Sequence, residues 1–162
     1  NERYAAEIAR EIKEAAHRNA METTFDLRNA ILRAVPKNYE RGRIDPATRT
    51  FLALRIYANN EFGNLTEVLL NLGNTLKIGG RVAVITFHSG EDRLVKNIFR
   101  DMARVHGVKL INKKIIAPSR TEEQENPRAR SAKLRGAIIM GLDVALASQV
   151  RSSQQATFVT LL

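Results

Sequence analysis

The centre of the chain reads Gly79-Gly80-Arg81-Val82-Ala83-Val84-Ile85-Thr86-Phe87-His88-Ser89-Gly90-Glu91-Asp92-Arg93. Its apolar part, Val82 to Phe87, is too short for a buried helix and rich in β-branched residues, which predicts a central strand. Polar residues, among them His88 and Ser89, follow directly, and apolar residues with helical spacing resume at Leu94. A strand, a polar turn and a helix indicate an α/β unit, which binds ligands beyond the carboxyl ends of its strands. His88 and Ser89 stand at such an end and are candidate site residues.

Helices are predicted on the amino-terminal side of this strand, where apolar residues recur every three or four positions. Thr23 or Thr24 can cap the second helix, and Pro36 ends it. Asp45-Pro46 predicts the start of the third, with Asp45 as N-cap, and Gly79-Gly80 is expected to close the fourth. The predicted helices span about residues 3–18, 24–35, 45–60 and 61–77, with a basic loop at 37–44.

The carboxy-terminal side is predicted as a helix over about residues 91–105, strands over 108–116 and 132–140, and a polar loop over 117–131 between them. Because a loop joins the last two strands, we expect an antiparallel pair. Residues 81–87, 108–116 and 132–140 are predicted to lie in one sheet, with the last strand antiparallel to its neighbours. Beyond about Met140, the tail to Leu162 is expected to pack poorly.

Composition restricts the classes of function. The chain has 162 residues, which suits one domain or one domain with an appendage, and its 44% hydrophobic content suits a packed core. Cysteine is absent, which excludes disulfides and thiolate metal sites. No segment approaches the roughly 20 apolar residues of a membrane span. The net charge of +9 favours a polyanionic partner such as nucleic acid, although a merely basic protein has the same charge.

Two basic clusters are candidates for phosphate binding. The stretch 126–135 holds Arg128, Arg130, Lys133 and Arg135 and no acidic residue, so it either clamps phosphates or is a solvated basic loop. Arg49 stands in the first turn of a predicted helix, where a cation is unfavourable for the helix dipole. That position indicates either a binding or bridging task or a surface salt bridge.

Other chemistries have weaker support. Hydrolysis by His88, Ser89 and Asp92 is possible in principle, but adjacent Ser and His residues seldom face each other and no nucleophile elbow is present. The three histidines are scattered, which does not predict a metal site. Neither a dinucleotide-binding turn nor a Walker loop occurs. Pattern alone therefore stops at a basic α/β protein and favours a link to nucleic acid.

Three longer stretches resemble the motifs of one known family. They read Asp45-Pro46-Ala47-Thr48-Arg49-Thr50-Phe51-Leu52-Ala53-Leu54-Arg55-Ile56, Thr86-Phe87-His88-Ser89-Gly90-Glu91-Asp92-Arg93-Leu94-Val95-Lys96 and Asn126-Pro127-Arg128-Ala129-Arg130-Ser131-Ala132-Lys133-Leu134-Arg135. In this order they resemble the RsmH (MraW) family of S-adenosylmethionine-dependent methyltransferases, which act on cytosine N4 of bacterial small-subunit ribosomal RNA. Asp45 stands where the family usually has histidine, and Gly90 where it has leucine. The resemblance covers about residues 1–136.

The resemblance implies an α/β fold: the last three strands of a Rossmann-like class I methyltransferase, preceded by the helical end of its inserted domain. Residues 1–60 would be that helical end, 61–140 the carboxy-terminal part of the sheet domain, and 141–162 a tail outside the family pattern. The family's cofactor-binding segments belong to a front half that precedes these motifs. S-adenosylmethionine would therefore bind in the complete enzyme, and this chain alone is expected to be inactive and not to bind it.

The resemblance also implies site residues and partners. His88 and Ser89 would border the target base, as catalytic residues, while Arg49, Arg128, Arg130 and Lys133 would bind RNA. The expected partner is small-subunit ribosomal RNA or a 30S-type particle in the cytoplasm, with a homodimer as one arrangement. The alternatives are a non-catalytic RNA-binding remnant of the same fold and, on weaker grounds, a hydrolase that uses His88 and Ser89.

Overall fold

The computed structural model describes residues 2–39, 44–141, 148 and 150. The chain divides into two units, Asn1–Glu61 and Phe62–Leu162, and each has its own hydrophobic core. Within the described ranges, no helix has the length and apolar character needed to cross a membrane. The first core is built from helices and loops, and the second from helices against a sheet.

The first unit contains three helices among its described residues, α1 (Ala5–His17), α2 (Thr24–Ala34) and α3 (Thr48–Ala58). The start of α2 is fixed by Thr23, as predicted. Its hydroxyl accepts the N–H of Asp26 at 3.2 Å, and the Asp26 carboxylate accepts the N–H of Thr23 at 2.8 Å. This reciprocal capping box satisfies two N–H groups at the helix start. The core of the unit consists of Ile8, Ile31, Val35 and Ala47, with partly buried residues around them.

The third helix begins later than predicted. It starts at Thr48, so Asp45 is not its N-cap. Asp45 instead closes a turn ahead of the helix: its Oδ1 accepts the N–H of Ala47 at 2.9 Å, and its carbonyl accepts the N–H of Thr48 at 2.9 Å. The carboxylate reaches only two residues ahead, which is the geometry of an Asx turn. Residues 40–43 of the loop predicted at 37–44 lie outside the described residues.

The second unit alternates helices with a small sheet. The predicted fourth helix is two helices, and the predicted polar loop 117–131 contains a short helix and a 3-10 helix, Pro127–Ser131. Ser119 accepts the N–H of Glu122 at 3.1 Å to start the short helix, and Asn126 caps the 3-10 helix. The elements are α4 (Glu61–Leu70), α5 (Leu72–Thr75), β1 (Arg81–Thr86), α6 (Ser89–Arg104), β2 (Val108–Leu110), α7 (Arg120–Glu125) and β3 (Lys133–Ile139).

The three strands form one sheet in the order β1-β3-β2, with β3 antiparallel to both neighbours. The register pairs Thr86 with Lys133 and Arg81 with Ile138. This confirms the predicted sheet and the orientation of its last strand. Gly79 has a φ of +85°, which favours glycine, and its N–H donates to Ile139 at 2.8 Å. The glycine pair therefore enters the β1–β3 ladder and does not close a helix.

The predicted strand 108–116 is interrupted at Asn112. β2 ends at Leu110, and pairing with β3 resumes only as an isolated bridge between Ile116 and Leu134. In the gap, the Asn112 side chain replaces the main chain: Oδ1 accepts the N–H of Gly136 at 2.7 Å, and Nδ2 donates to Leu134 O at 3.2 Å. A side-chain amide can satisfy both kinds of main-chain group, so β3 stays bonded on this edge.

One face of the sheet is covered by α6. The side chains of Leu94, Val95, Ile98, Phe99 and Met102 from α6 are buried with Ala137 and Ile139 of β3. Val150 joins this core with only 2% of its surface exposed, so the expectation of a poorly packed tail is wrong at that residue. Its β-branched apolar side chain gains by burial wherever the core has room. Beyond Gly141, residues 148 and 150 are the part of the tail that the structure describes.

Candidate functional site

His88 links β1 to α6 and acts as the N-cap of that helix. Its Nδ1 accepts the N–H groups of Gly90 at 3.1 Å and Glu91 at 3.3 Å. In return, Oε2 of Glu91 accepts the N–H of Phe87 at 3.0 Å and of His88 at 3.4 Å. Together these bonds form a capping box with histidine in the place usually taken by Ser or Thr. Because Nδ1 accepts two donors, the proton of the neutral imidazole belongs on Nε2.

The imidazole is held on its other sides by packing. The ring of Phe62 lies 5.9 Å from it, centroid to centroid, tilted by 45°. Gly90 makes this approach possible, because a Cβ there would lie 2.9 Å from Cζ of Phe62 and 3.1 Å from the imidazole. Glycine at position 90 therefore leaves room for Phe62. The His88 side chain is 18% exposed, and turning its ring would break two cap bonds.

This geometry limits the chemistry open to His88. Nε2 lies 3.4 Å from Oε1 of Glu91 but has no hydrogen-bond partner within the described part of the chain. Nε2 is itself buried within the described structure, and Nδ1 already accepts two N–H groups, so neither ring nitrogen is available to a ligand in this conformation. No described contact joins His88 to Ser89, and Asp92 is paired with Arg135. A Ser–His–Asp arrangement is thus not formed by these residues, which removes the basis of the hydrolase alternative.

The exposed groups at the end of β1 are Phe87 and Ser89. Phe87 is 56% exposed, and Ser89 is the exposed first residue of α6. Lys133 lies beside them in the sheet, because it pairs with Thr86, whose hydroxyl donates to Lys133 O at 3.4 Å. The structure therefore brings together His88, Ser89 and Lys133, which the sequence predicted as site residues from two separate motifs.

The basic stretch before β3 has a regular arrangement of buried and exposed residues. Asn126 begins it by accepting the N–H of Arg128 at 3.3 Å. Ala129 is buried, whereas Arg128 and Arg130 on either side of it are exposed. A buried alanine between two exposed arginines anchors the 3-10 helix and leaves both guanidinium groups to solvent. We name the segment 126–133 the basic loop; it leads directly into β3.

Arg49 belongs to the helical unit and has partners there. Its Nη1 donates to the Tyr39 hydroxyl at 3.0 Å and lies 3.5 Å from Oε2 of Glu2. Burial raises the pKa of Glu2, but hydrogen bonds from the Tyr39 hydroxyl and the Tyr4 N–H, together with Arg49, outweigh this and hold that pKa below its ordinary value. The bridging role that the sequence left open for Arg49 is therefore present, within this unit.

Two residues near the site were missed by sequence reasoning. Arg135 lies within the basic block, yet it is buried and forms a bidentate pair with Asp92, with distances of 2.7 and 3.2 Å. The signal was its two- and four-residue spacing from Ala137 and Ile139, which places all three on the same face of β3. Asn112 holds β3 opposite β1, and no periodic pattern marks a side chain with that role.

Comparison with known proteins gives one consistent result. Residues 1–139 match the MraW methylase family. The chain is 46% identical over 134 residues to a protein of Leptospira interrogans named ribosomal RNA small subunit methyltransferase H, covering 83% of this chain and 40% of that protein. Proteins of the same name from Synechocystis and Trichodesmium erythraeum are 46% and 48% identical, covering 84% and 83% of this chain and 43% and 45% of theirs. The chain thus spans less than half the length of these relatives, and it belongs to the MraW methylase family.

Proposed function

We propose that this chain is the carboxy-terminal part of an S-adenosylmethionine-dependent methyltransferase that modifies cytosine N4 in small-subunit ribosomal RNA. The name shared by its relatives supports the ribosomal RNA substrate. The resemblance of the three sequence motifs to the RsmH (MraW) family supports cytosine N4 as the methylated atom. A cytoplasmic 30S-type particle or its RNA is the partner that follows from this proposal.

The sheet supports the proposal that the strands are the last three of a Rossmann-like sheet. Among the described residues, β1 pairs only with β3, so its other edge is open for a further strand. The face opposite α6 carries Ile85, Ile111 and Ile116, each more than half exposed. An open edge beside an apolar face is unfavourable in an isolated sheet and normal where a larger sheet continues. In this proposal the end of the inserted domain spans residues 1–60. The end of the sheet domain spans residues 61–140, and a tail spans residues 141–162.

The chemistry proposed is methyl transfer in line from a sulfonium to the exocyclic amine of cytosine. S-adenosylmethionine, when bound to the complete enzyme, would supply the methyl group: the S–C bond would break to leave a neutral thioether as the N–C bond forms, and the methylated amine would release a proton to solvent. Because the amine's lone pair is delocalised into the ring, positioning and hydrogen bonding must supply much of the rate. His88 and Ser89 border the base in this proposal. Because Nε2 of His88 is buried, the proposal places the imidazole beside the base as a packing surface, and the exposed Ser89 hydroxyl is the group that can donate or accept a hydrogen bond.

The basic loop carries the RNA-binding part of the proposal. Arg128 and Arg130 are exposed, and the segment contains no acidic residue. Lys133 lies beside the end of β1. That arrangement suits phosphates on one side of a base placed at His88 and Ser89. Arg49 of the first unit is proposed to contribute a further contact to RNA, and its guanidinium also lies 3.5 Å from the Glu2 carboxylate.

A salt series tests the RNA-binding part directly. In filter binding of small-subunit RNA, Arg128→Ala with Arg130→Ala should weaken binding and reduce the slope of log K against log salt by about 1.4–1.8, since each phosphate contact contributes roughly 0.7–0.9. Arg100→Ala with Arg104→Ala removes two exposed cations at the other end of α6 and serves as the matched control. An unchanged slope for the first pair, or an equal change for the control, would contradict the assignment.

A second experiment tests the division of labour between the two halves of the enzyme. Calorimetric titration of S-adenosylmethionine into the 162-residue chain should give no measurable heat of binding, because the cofactor-binding segments are proposed to lie outside it. The same titration into a protein of the relatives' full length should give saturable binding. Micromolar binding by the chain alone would overturn this part of the proposal.

A further inference from the structure

The salt bridge between Asp92 and Arg135 joins the two proposed parts of the site. Asp92 lies in α6, four residues beyond His88, and its N–H donates to His88 O at 3.2 Å. Arg135 lies in β3, two residues beyond Lys133. Nε of Arg135 donates to Oδ1 of Asp92 at 2.7 Å and its Nη2 to Oδ2 at 3.2 Å. We propose that Arg135 and Asp92 are a positioning pair that fixes the His88–Ser89 turn relative to the basic loop.

Burial makes the geometry of this pair restrictive. The side chains of Arg135 and Asp92 are 11% and 16% exposed, so little water competes for either group. Two parallel bonds between a guanidinium and a carboxylate set both the distance and the angle between their carriers. A single lysine bond at the same place would set a distance only.

The elements that carry the pair are themselves rigid. Arg135 pairs with Val84 of β1 in the sheet register. On the other edge of β3, the side chain of Asn112 bonds both residues that flank Arg135, accepting from Gly136 and donating to Leu134. The guanidinium therefore projects from a strand that is held on both sides. The pair therefore ties the strand that follows the basic loop to the first turn of α6.

Stability alone is a weak explanation for such a pair. Replacing a buried ion pair by apolar residues is often neutral or stabilising, because desolvation offsets much of the attraction. The pair does, however, hold the start of α6 at the turn where His88 makes its two cap bonds. A positioning role rests on the proposed function, since it matters only if that turn and the basic loop act on one RNA.

The first test needs no methyl transfer. Amide hydrogen exchange in the 162-residue chain should be faster by about tenfold or more at Gly90 and Glu91 in Arg135→Lys than in the parent, with Ile98 in the middle of α6 changing much less. Asp92→Asn should show the same selective change and serves if Arg135→Lys does not fold. Arg104→Lys is the matched control, because Arg104 pairs with Asp101 on the same helix at 3.3 Å but is 70% exposed. Equal acceleration at all three amides, or none, would overturn the proposal.

The second test uses the complete enzyme. Arg135→Lys should lower kcat for methyl transfer about tenfold or more and leave KM for RNA within about twofold, because the basic loop keeps its cations. Rising KM with unchanged kcat would show that Arg135 only binds RNA and would overturn the positioning role. If the parent enzyme itself transfers no methyl group to RNA, the proposed function fails, and the exchange rates at Gly90 and Glu91 alone decide whether the pair holds the turn.

Discussion

Replacing His88 by alanine should destabilise the second unit through the start of α6. The change removes the acceptor of two N–H groups, at 3.1 and 3.3 Å from Nδ1. It leaves intact the other half of the capping box, because Glu91 accepts from main-chain N–H groups that alanine retains. Loss of an N-cap costs about 0.5–2 kcal/mol. With the packing lost against Phe62, the free energy of unfolding should fall by about 2 kcal/mol.

His88→Asn separates the cap from the chemistry. Asparagine is among the best N-caps, so its side-chain oxygen should restore the bonds and leave only the packing lost against Phe62, which keeps the unfolding free energy within about 1 kcal/mol of the parent. It lacks the imidazole that the proposal places beside the base, so methyl transfer by the complete enzyme should still fall. His106→Asn is the control histidine, because His106 has a φ of +56°, which asparagine tolerates. Urea unfolding, followed by the amide signals of the second unit, gives the free energy of unfolding of His88→Ala, His88→Asn and His106→Asn. If His88→Ala leaves this free energy unchanged, or His88→Asn lowers it as much as His88→Ala, then His88 does not stabilise the unit as an N-cap.

Two further results are expected from other parts of the chain. Asn112→Ala should cost the second unit about 2–3 kcal/mol in urea unfolding, since it strands the buried N–H of Gly136, whereas the exposed Asn71→Ala should cost far less; equal effects would contradict the role of Asn112 in the sheet. The first unit should lose stability in acid, because the Thr23 hydroxyl and N–H lower the pKa of Asp26, the Ala47 N–H and Arg28 lower that of Asp45, and the pKa of Glu2 is lowered as described above. Groups with a lowered folded pKa stabilise fully above their unfolded values near 4, and this stability is lost as pH falls through the lower folded values. Tyrosine fluorescence reports this unit alone, since the chain has no tryptophan and its 3 tyrosines all lie there; a midpoint of urea unfolding that stays constant from pH 6 to about 3 would refute the linkage.

The sheet was predictable because its signals are periodic and local. An apolar β-branched run indicated β1, apolar residues within 108–116 and 132–140 indicated the other two strands, and the loop that joins those two indicated that β3 runs antiparallel. The split of β2 was not predictable in the same way, because the bonds of Asn112 depend on which residues of β3 lie opposite it. The two short helices within the predicted loop do carry sequence signals: Ser119 stands three residues before Glu122, and Pro127 stands at a first helical position.

The sequence motifs located the candidate site, but residue patterns alone did not predict the contacts within it. Its position at the end of β1 followed from the strand–turn–helix pattern, but the cap role of His88 did not, since histidine is an unusual N-cap. Arg135 was grouped with the exposed cations because charge says nothing about burial. The RNA-binding roles of Arg128, Arg130, Lys133 and Arg49 stay predictions.

The most direct test of the proposed function is nucleoside analysis of small-subunit ribosomal RNA after methyl transfer. RNA from cells that lack the modification would be incubated with S-adenosylmethionine and a protein that carries this chain at the full length of its relatives, then digested and examined by mass spectrometry. We predict one product, N4-methylated cytidine, which is absent when the 162-residue chain is used alone. A methyl group on another atom or base, or RNA binding without any methyl transfer, would contradict the account, and the second result would favour a non-catalytic RNA-binding protein.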